Sequence, residues 1–332
     1  MNEKRRSFTY IFILAWIGLL PLTEISHADH DPGRILIYPT VMPAHRVRLH
    51  GRVIEDKGHA KASRKRHKIV NLWNSVRTLE SDEIEDFRLR LTVNGHRFEA
   101  TTDDDGVFTV DADHITPPLP VGQLSVETEV LDDQGHPTPP TTDQIFVMPE
   151  APILLVSDFD DTVVHSNITS RRTMLKTALL KNAAQLDPVK GAAAAYTEAL
   201  RGGVHGVIYL SGSPQNFITR IRQFLAVNGF PPGAIILKNF GVGRGADPLL
   251  DQMAYKGGRL AELAQVFPKA RFILVGDSGE RDPEIYAAFA EAHPGRVIKT
   301  IIRRASGGSA DKQRNPAAMW LDEFTPAALT LP

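Results

Sequence analysis

The stretch Ile153-Leu154-Leu155-Val156-Ser157-Asp158-Phe159-Asp160-Asp161-Thr162 decides the fold. Four consecutive apolar residues give way within two positions to carboxylates. A strand that is apolar at every position, not at alternate ones, has both faces covered, as the central strands of parallel sheets do. In open α/β sheets, ligands bind beyond the carboxyl ends of the strands. Asp158 and Asp160, two positions apart just past such a strand, therefore project into a candidate crevice.

The same grammar continues toward the C terminus. Gly206 to Leu210, Ala234 to Leu237, Phe272 to Val275 and Val297 to Ile302 are further continuous apolar or β-branched runs. Between them lie helical segments at Pro188 to Arg201, Pro214 to Asn228, Gly257 to Phe267 and Pro283 to Ala292, bounded by glycine or proline. Strands alternating with helices predict an α/β domain, a Rossmann-like doubly wound parallel sheet, over residues 151–305. The stretch between Asp158 and Ser211 is longer than one crossover helix needs. Its surplus, Ser166 to Asp187, carries Arg171, Arg172 and an apolar Met174-Leu175…Leu179-Leu180 pattern that suits a small cap over the site. His165 reads as structural.

Upstream of Pro149-Glu150-Ala151-Pro152 the pattern is different. Short runs with period-two alternation (Ile35 to Tyr38, Arg46 to Val53, Phe87 to Val93, Val107 to Val110, Leu124 to Val130, Gln144 to Met148) predict a small β-sandwich over 29–150. Asn94-Gly95 marks a hairpin, because both residues tolerate positive φ. Asp103-Asp104-Asp105-Gly106 lacks the spaced ligands of a calcium loop and reads as an acidic turn. The segment Lys57 to Lys68 holds six basic residues, and the acidic stretch from Glu80 to Asp86 follows it. We read it as a solvated loop, with contact to an anionic membrane surface as the alternative.

The chain opens on Lys4-Arg5-Arg6, continues apolar from Phe8 to Leu22 and reaches Ser26-His27-Ala28, the arrangement of a cleaved export signal over residues 1–28. The apolar run is shorter than the roughly 20 residues a membrane span needs; an uncleaved anchor is the alternative. The expected location is the periplasm or the exterior. With 38 Lys plus Arg against 39 Asp plus Glu, the formal charge of −1 argues against nucleic acid as a partner. The absence of cysteine excludes disulfides, thiolate nucleophiles and Cys-ligated zinc. The chemistry must use oxygen and nitrogen.

Three more groups fall at the same edge. Ser211-Gly212-Ser213-Pro214 follows the second strand and suits an anion at a helix start. Gly276-Asp277 and Asp282 follow the fourth strand, and Lys256 stands at the head of the intervening helix. Hydrolysis of a phosphate monoester needs an in-line nucleophile, a proton donor for the leaving oxygen and cations for the equatorial charge. Asp158 suits the nucleophile, forming an aspartyl-phosphate, and Asp160 the acid and base. Hard carboxylate oxygens suit Mg²⁺.

Asp158-x-Asp160-x-Thr162, Ser211, Lys256 and Gly276-Asp277-x4-Asp282 together resemble the four motifs of the haloacid-dehalogenase-type phosphohydrolases. Ser157 to Thr162, Tyr209 to Pro214 and Gly276 to Tyr286 are similar, more closely, to the catalytic domain of phosphatidate phosphatases of the actin-patch-protein type. This resemblance covers about residues 150–305, and the segment before it is loosely similar to the small β domain of bacterial members. It implies a Mg²⁺ cofactor on Asp158, the Asp160 carbonyl and Asp277, with Asp282 acting directly or through water. Ser211 is then a phosphate hydrogen-bond donor, Lys256 a charge neutraliser, and Thr162 a residue that orients the loop and Asp160. The implied substrate is phosphatidate or a related lipid phosphate, with peripheral membrane contact. The alternatives are an exported phosphomonoesterase for soluble esters, or a surface-binding protein with an accessory phosphatase domain. The C-terminal tail, 306–332, has no assigned role, and protein partners are unknown.

Overall fold

The computed structural model describes residues 34–54, 86–131, 134–165, 185–239, 251–305 and 312–331. The expected signal, the basic segment 57–68 and all but the last three residues of the surplus segment 166–187 lie outside the described residues, as does the side chain of His165.

The decisive stretch forms strand β9, Ile153–Asp158, buried at every position. It lies inside a six-stranded parallel sheet. In spatial order its strands are β13 (Ala234–Lys238), β12 (Gly206–Pro214), β9, β14 (Arg271–Asp277), β15 (Val297–Arg303) and β16 (Met319–Leu321). The continuous apolar runs are explained by two cores, one on each face. Leu155, Val207, Tyr209, Ile273 and Val275 pack against helices α1 (Ala192–Arg201) and α2 (Ile218–Val227). Leu154, Val156, Ile208, Phe272 and Leu274 pack against α3 (Gln252–Val266) and α4 (Asp282–Ala292). The domain is thus α/β with a parallel sheet, helices covering both faces.

The segment before it holds two sheets. One has the order β1 (Arg34–Ile37), β3 (Arg46–Ile54), β6 (Val107–Asp113). The other has the order β2 (Val41–Pro43), β8 (Thr141–Met148), β7 (Gly122–Leu131), β4 (Arg88–Val93), β5 (His96–Thr101). Inward residues of both, among them Val47, Leu49, Leu91, Phe108, Val126 and Ile145, share one core. Asn94 and Gly95 turn the β4–β5 hairpin at φ 45° and 84°. The Asp103 carboxylate accepts from the amides of Asp105 and Val107, each at 2.9 Å, so the acidic turn is held by its own backbone.

Pro149 to Pro152 joins the two grammars without separating them; residues 32–332 form one compact unit. Leu36 and Tyr38 belong to the core around α1 and α2, while Val41, Phe146 and Met148 belong to the core around α3 and α4. The Ile235 amide donates to the Pro39 carbonyl at 2.9 Å, and Arg222 on α2 pairs with Asp143 at 2.6 Å.

The largest departures from expectation lie in the C-terminal segment and in α3. Residues 312–331 supply β16, the sixth strand, and a short 3₁₀ helix, Pro326–Leu329; Phe324, Ala328 and Leu329 are buried against the α1 face. Helix α3 begins at Gln252, not Gly257, because the Asp251 carboxylate caps it by accepting from the Ala254 amide at 3.0 Å. Among the described residues, no helix is long and apolar enough to cross a membrane.

Candidate active site

Strand register gathers the predicted residues. Leu210 pairs with Asp158 and Val275 with Ser157, so Ser211 and Asp277 emerge beside Asp158 from the strands on either side of β9. Phe159 turns inward and meets Phe224 edge-on at 5.5 Å. That anchor leaves Asp158 and Asp160, one residue to each side of it, facing the edge of the sheet. Both amides of Val163 and Val164 donate to the Phe159 carbonyl, closing the loop, with Asp161 at φ 54°.

Because α3 starts early, Lys256 lies on its second turn, fully buried. Its Nζ donates to Asp158 Oδ1 at 2.7 Å, Asp282 Oδ1 at 2.6 Å and Glu280 Oε2 at 3.0 Å. Burial by itself would lower the lysine pKa. Asp158, Asp282 and Glu280 outweigh it and hold the ammonium protonated, well above its usual range. Asp158, Glu280 and Asp282 can each offer an oxygen within 4.8 Å of the others, a grouping that suits a metal ion. The lysine ammonium already meets all three. Asp282 also accepts the Asp277 amide at 3.2 Å through Oδ2, so both its oxygens are engaged.

Asp158 Oδ2 and Asp277 Oδ2 are buried carboxylate oxygens that accept no hydrogen bond among the described residues, whereas Asp277 Oδ1 accepts the Gly279 amide at 2.6 Å. Asp158, Glu280 and Asp282 share the Lys256 ammonium, and Asp277 adds a fourth buried carboxylate nearby. Burial first, and then the neighbouring acids, push Asp158 and Asp277 well above the usual carboxylate range. Buried anionic oxygens without donors are costly unless they are protonated or bind a cation. A hard divalent ion would suit this pair of oxygens.

Asp160 occupies the other side. Ser211 Oγ donates to its Oδ2 at 3.0 Å, Ser213 Oγ lies at 3.4 Å, and the Ser213 amide donates to Ser211 Oγ at 3.0 Å. Burial and the Glu280 charge raise the Asp160 pKa to about 6, against the lowering effect of Ser211. Ser211 thus holds the carboxyl of Asp160. The Thr162 hydroxyl is buried and makes no hydrogen bond among the described residues, so none ties it to Asp160.

Several participants are not apparent from the sequence. Glu280 completes the ring around Lys256. Ser157 Oγ donates to the Asp158 carbonyl and meets Tyr196 OH, each at 2.6 Å, while Tyr255 OH donates to the Ser211 carbonyl at 3.1 Å. Arg303, buried at the end of β15, donates to the Asp161 carbonyl and fixes that left-handed residue. Of these, Glu280 and Ser157 lie inside stretches quoted above for their motifs; Tyr196, Tyr255 and Arg303 do not.

Residues 153–304 match the family described as phosphatidate phosphatase APP1, catalytic domain. The chain is 30% identical over 217 residues to Phosphatidate phosphatase APP1 of Saccharomyces cerevisiae, which covers 64% of this chain and 36% of that protein. It is 26% identical over 218 residues to an uncharacterized protein of Schizosaccharomyces pombe, covering 62% and 34%. The chain therefore spans about a third of the length of these relatives. Among solved structures it is similar to a carbohydrate acetylesterase from Xanthomonas citri at 10% identity, over 84% of this chain and 72% of that one, with a TM-score of 0.28.

Proposed function

We propose that this protein is a Mg²⁺-dependent phosphatidate phosphatase of the haloacid-dehalogenase type, acting through an aspartyl-phosphate, with its β-sandwich (29–150) preceding a doubly wound catalytic domain (151–305). The observation that carries the reading is the division of labour on Asp158: one oxygen on the Lys256 ammonium, the other buried with no donor among the described residues, as is Asp277 Oδ2 at the end of the neighbouring strand. The match of residues 153–304 to the phosphatidate phosphatase catalytic-domain family supports it.

Asp158 attacks phosphorus as the phosphate–alkoxide bond breaks. Asp160 in its acid form delivers a proton to the departing oxygen, and its raised pKa suits that task. In the second half, Asp160 takes a proton from the water that cleaves the aspartyl-phosphate and regains its starting form. Lys256 keeps Asp158 oriented and offsets its charge; Ser211, which holds Asp160, stands where a phosphate oxygen also arrives. Asp158, Asp277 and the Asp160 carbonyl are the residues that would hold Mg²⁺. When bound, it supplies positive charge against the equatorial oxygens of the phosphoryl group. Asp282, with both oxygens engaged, acts by holding Lys256 and the Asp277 amide.

Residues 1–28 are proposed as a cleaved export signal, placing the protein in the periplasm or outside the cell. The lipid substrate implies peripheral contact with a membrane, and nucleic acid is not an expected partner. The test measures phosphate release from dioleoyl phosphatidate micelles and from p-nitrophenyl phosphate, with Mg²⁺ or with EDTA. Mg²⁺-dependent release from phosphatidate, abolished in Asp158→Asn, is expected. Release from the soluble ester alone points instead to a soluble-ester phosphomonoesterase; release from neither overturns the enzymatic reading.

A further inference from the structure

The loop between β14 and α4, which carries Asp277, Glu280 and Asp282, is held from outside the catalytic family segment. The match to that family ends at residue 304, and Arg314 lies beyond it. The Arg314 guanidinium grips Glu284 on the first turn of α4 with two bonds, Nε to Oε1 at 2.8 Å and Nη2 to Oε2 at 2.9 Å. Its Nη1 donates to the Ser278 carbonyl at 2.7 Å, and its Nη2 also reaches the Glu280 carbonyl. The next residue, Asn315, is buried and donates to the Pro283 carbonyl at 3.0 Å. Three carbonyls within six residues of loop are thus taken by two adjacent side chains of the C-terminal segment. That segment is itself fixed, since β16 pairs with β15 and the Trp320 indole donates to the Asn315 carbonyl at 3.3 Å.

A planar guanidinium with four bonds sets direction as well as charge. Removing a group that orients a metal ligand typically costs about 10–100-fold in metal affinity or activity. We propose that Arg314 is a positioning residue: it fixes the backbone from Ser278 to Glu284 so that the Asp277 carboxylate faces the cation and the Glu280 carboxylate faces Lys256. This inference rests on the reading that Asp158 and Asp277 hold a divalent ion. It makes the C-terminal segment a working part of the site.

The test uses the full chain and Mg²⁺ alone as the probe, read by titration calorimetry, beside melting temperature in EDTA. Arg314→Ala is expected to weaken Mg²⁺ binding by about tenfold or more. Arg314→Lys restores the charge but not the fork, and is expected to recover only a minor part of that loss. Wild-type affinity in Arg314→Ala overturns the proposal, even if the melting temperature falls, because that pattern belongs to a purely structural residue. Full recovery in Arg314→Lys also overturns it, since charge alone would then suffice. Should Arg314→Ala fail to fold, Arg314→Lys decides: weakened binding supports the positioning role and unchanged binding removes it. Asp277→Asn is the control. If wild type itself binds no Mg²⁺, the metal-dependent reading falls and this inference with it, an outcome distinct from a wild type that binds and an Arg314→Ala that binds equally.

Discussion

Asp160 and Lys256 are buried ionisable groups with opposite solutions to burial. Lys256 remains charged because three carboxylates surround it; Asp160 has two serine donors and leans toward its neutral form. For Asp160 the folded pKa, about 6, lies above the unfolded value of 3.8. The stabilising contribution of its protonated form is therefore complete below about 3.8 and lost as pH rises through about 6. Asp160→Asn should be more stable than wild type above that point, by on the order of 1–3 kcal/mol. Urea denaturation at pH 4 and pH 7.5 checks the sign; a variant no more stable at pH 7.5 would show that burial does not penalise this charge. The same substitution should slow phosphatidate hydrolysis by about 10² or more and an aryl phosphate less, because only the alkoxide needs a proton. Equal losses on both substrates would remove Asp160 as the leaving-group acid. Above pH 6 in the wild type, the rate on the alkyl ester should decline as the acid form is lost. Lys256→Gln should cost about 3–5 kcal/mol, since it strands Asp158 and Asp282 as buried charges. A thermal melt that shifts by only a degree or two would contradict that.

At the scale of elements, the site exists because three neighbouring strand ends and one helix face meet. Gly276, at the end of β14, shows how little room that meeting leaves. A Cβ there would stand 2.4 Å from Asp282 Oδ2 and 2.6 Å from its Cβ, and Asp282 is held in place from both sides. Gly276→Ala should therefore push Asp282 off Lys256, costing about 1–3 kcal/mol and most of the activity. Near-wild-type turnover in this variant would mean that the Asp282–Lys256 contact is dispensable. The parallel strands and the hairpin at Asn94-Gly95 were legible in the sequence, because local pattern and turn chemistry dictate them. The true start of α3 was less so: Asp251 caps it six residues before the expected start, and Gly257 and Gly258, read as a boundary, are tolerated inside the helix. Strand β16 was missed for a different reason. One exposed residue, Met319, and two half-buried ones at the sheet edge carry no periodic signal, and their pairing with β15 supplies the order.

Across the whole molecule, the two sheets of the N-terminal segment are packed into the cores of the parallel-sheet domain. Leu36, Tyr38, Val41, Phe146 and Met148 contribute to those cores, and the charged seam is the Asp143 carboxylate, which accepts from Arg222 and from the Ile37 amide at 3.0 Å. Chemical denaturation should accordingly give one transition by both tryptophan fluorescence and far-ultraviolet circular dichroism. Arg222→Ala should lower its midpoint by an amount equivalent to about 2–4 kcal/mol, leaving Asp143 half-buried and unpaired. Two separated transitions in the wild type would show that the segments unfold independently.

The sequence by itself determined the α/β class, the five buried strands and the positions of Asp158, Asp160, Ser211, Lys256, Asp277 and Asp282, because apolar runs and the acids that end them are local facts. Only the tertiary structure decided which charge faces which. Glu280 joins Lys256, Ser211 holds Asp160, Asp282 is engaged on both oxygens, and Arg314 reaches back to the Asp277 loop. Those pairings depend on strand order and helix placement, which bring together residues far apart along the chain, and no local pattern encodes a hydrogen bond between them.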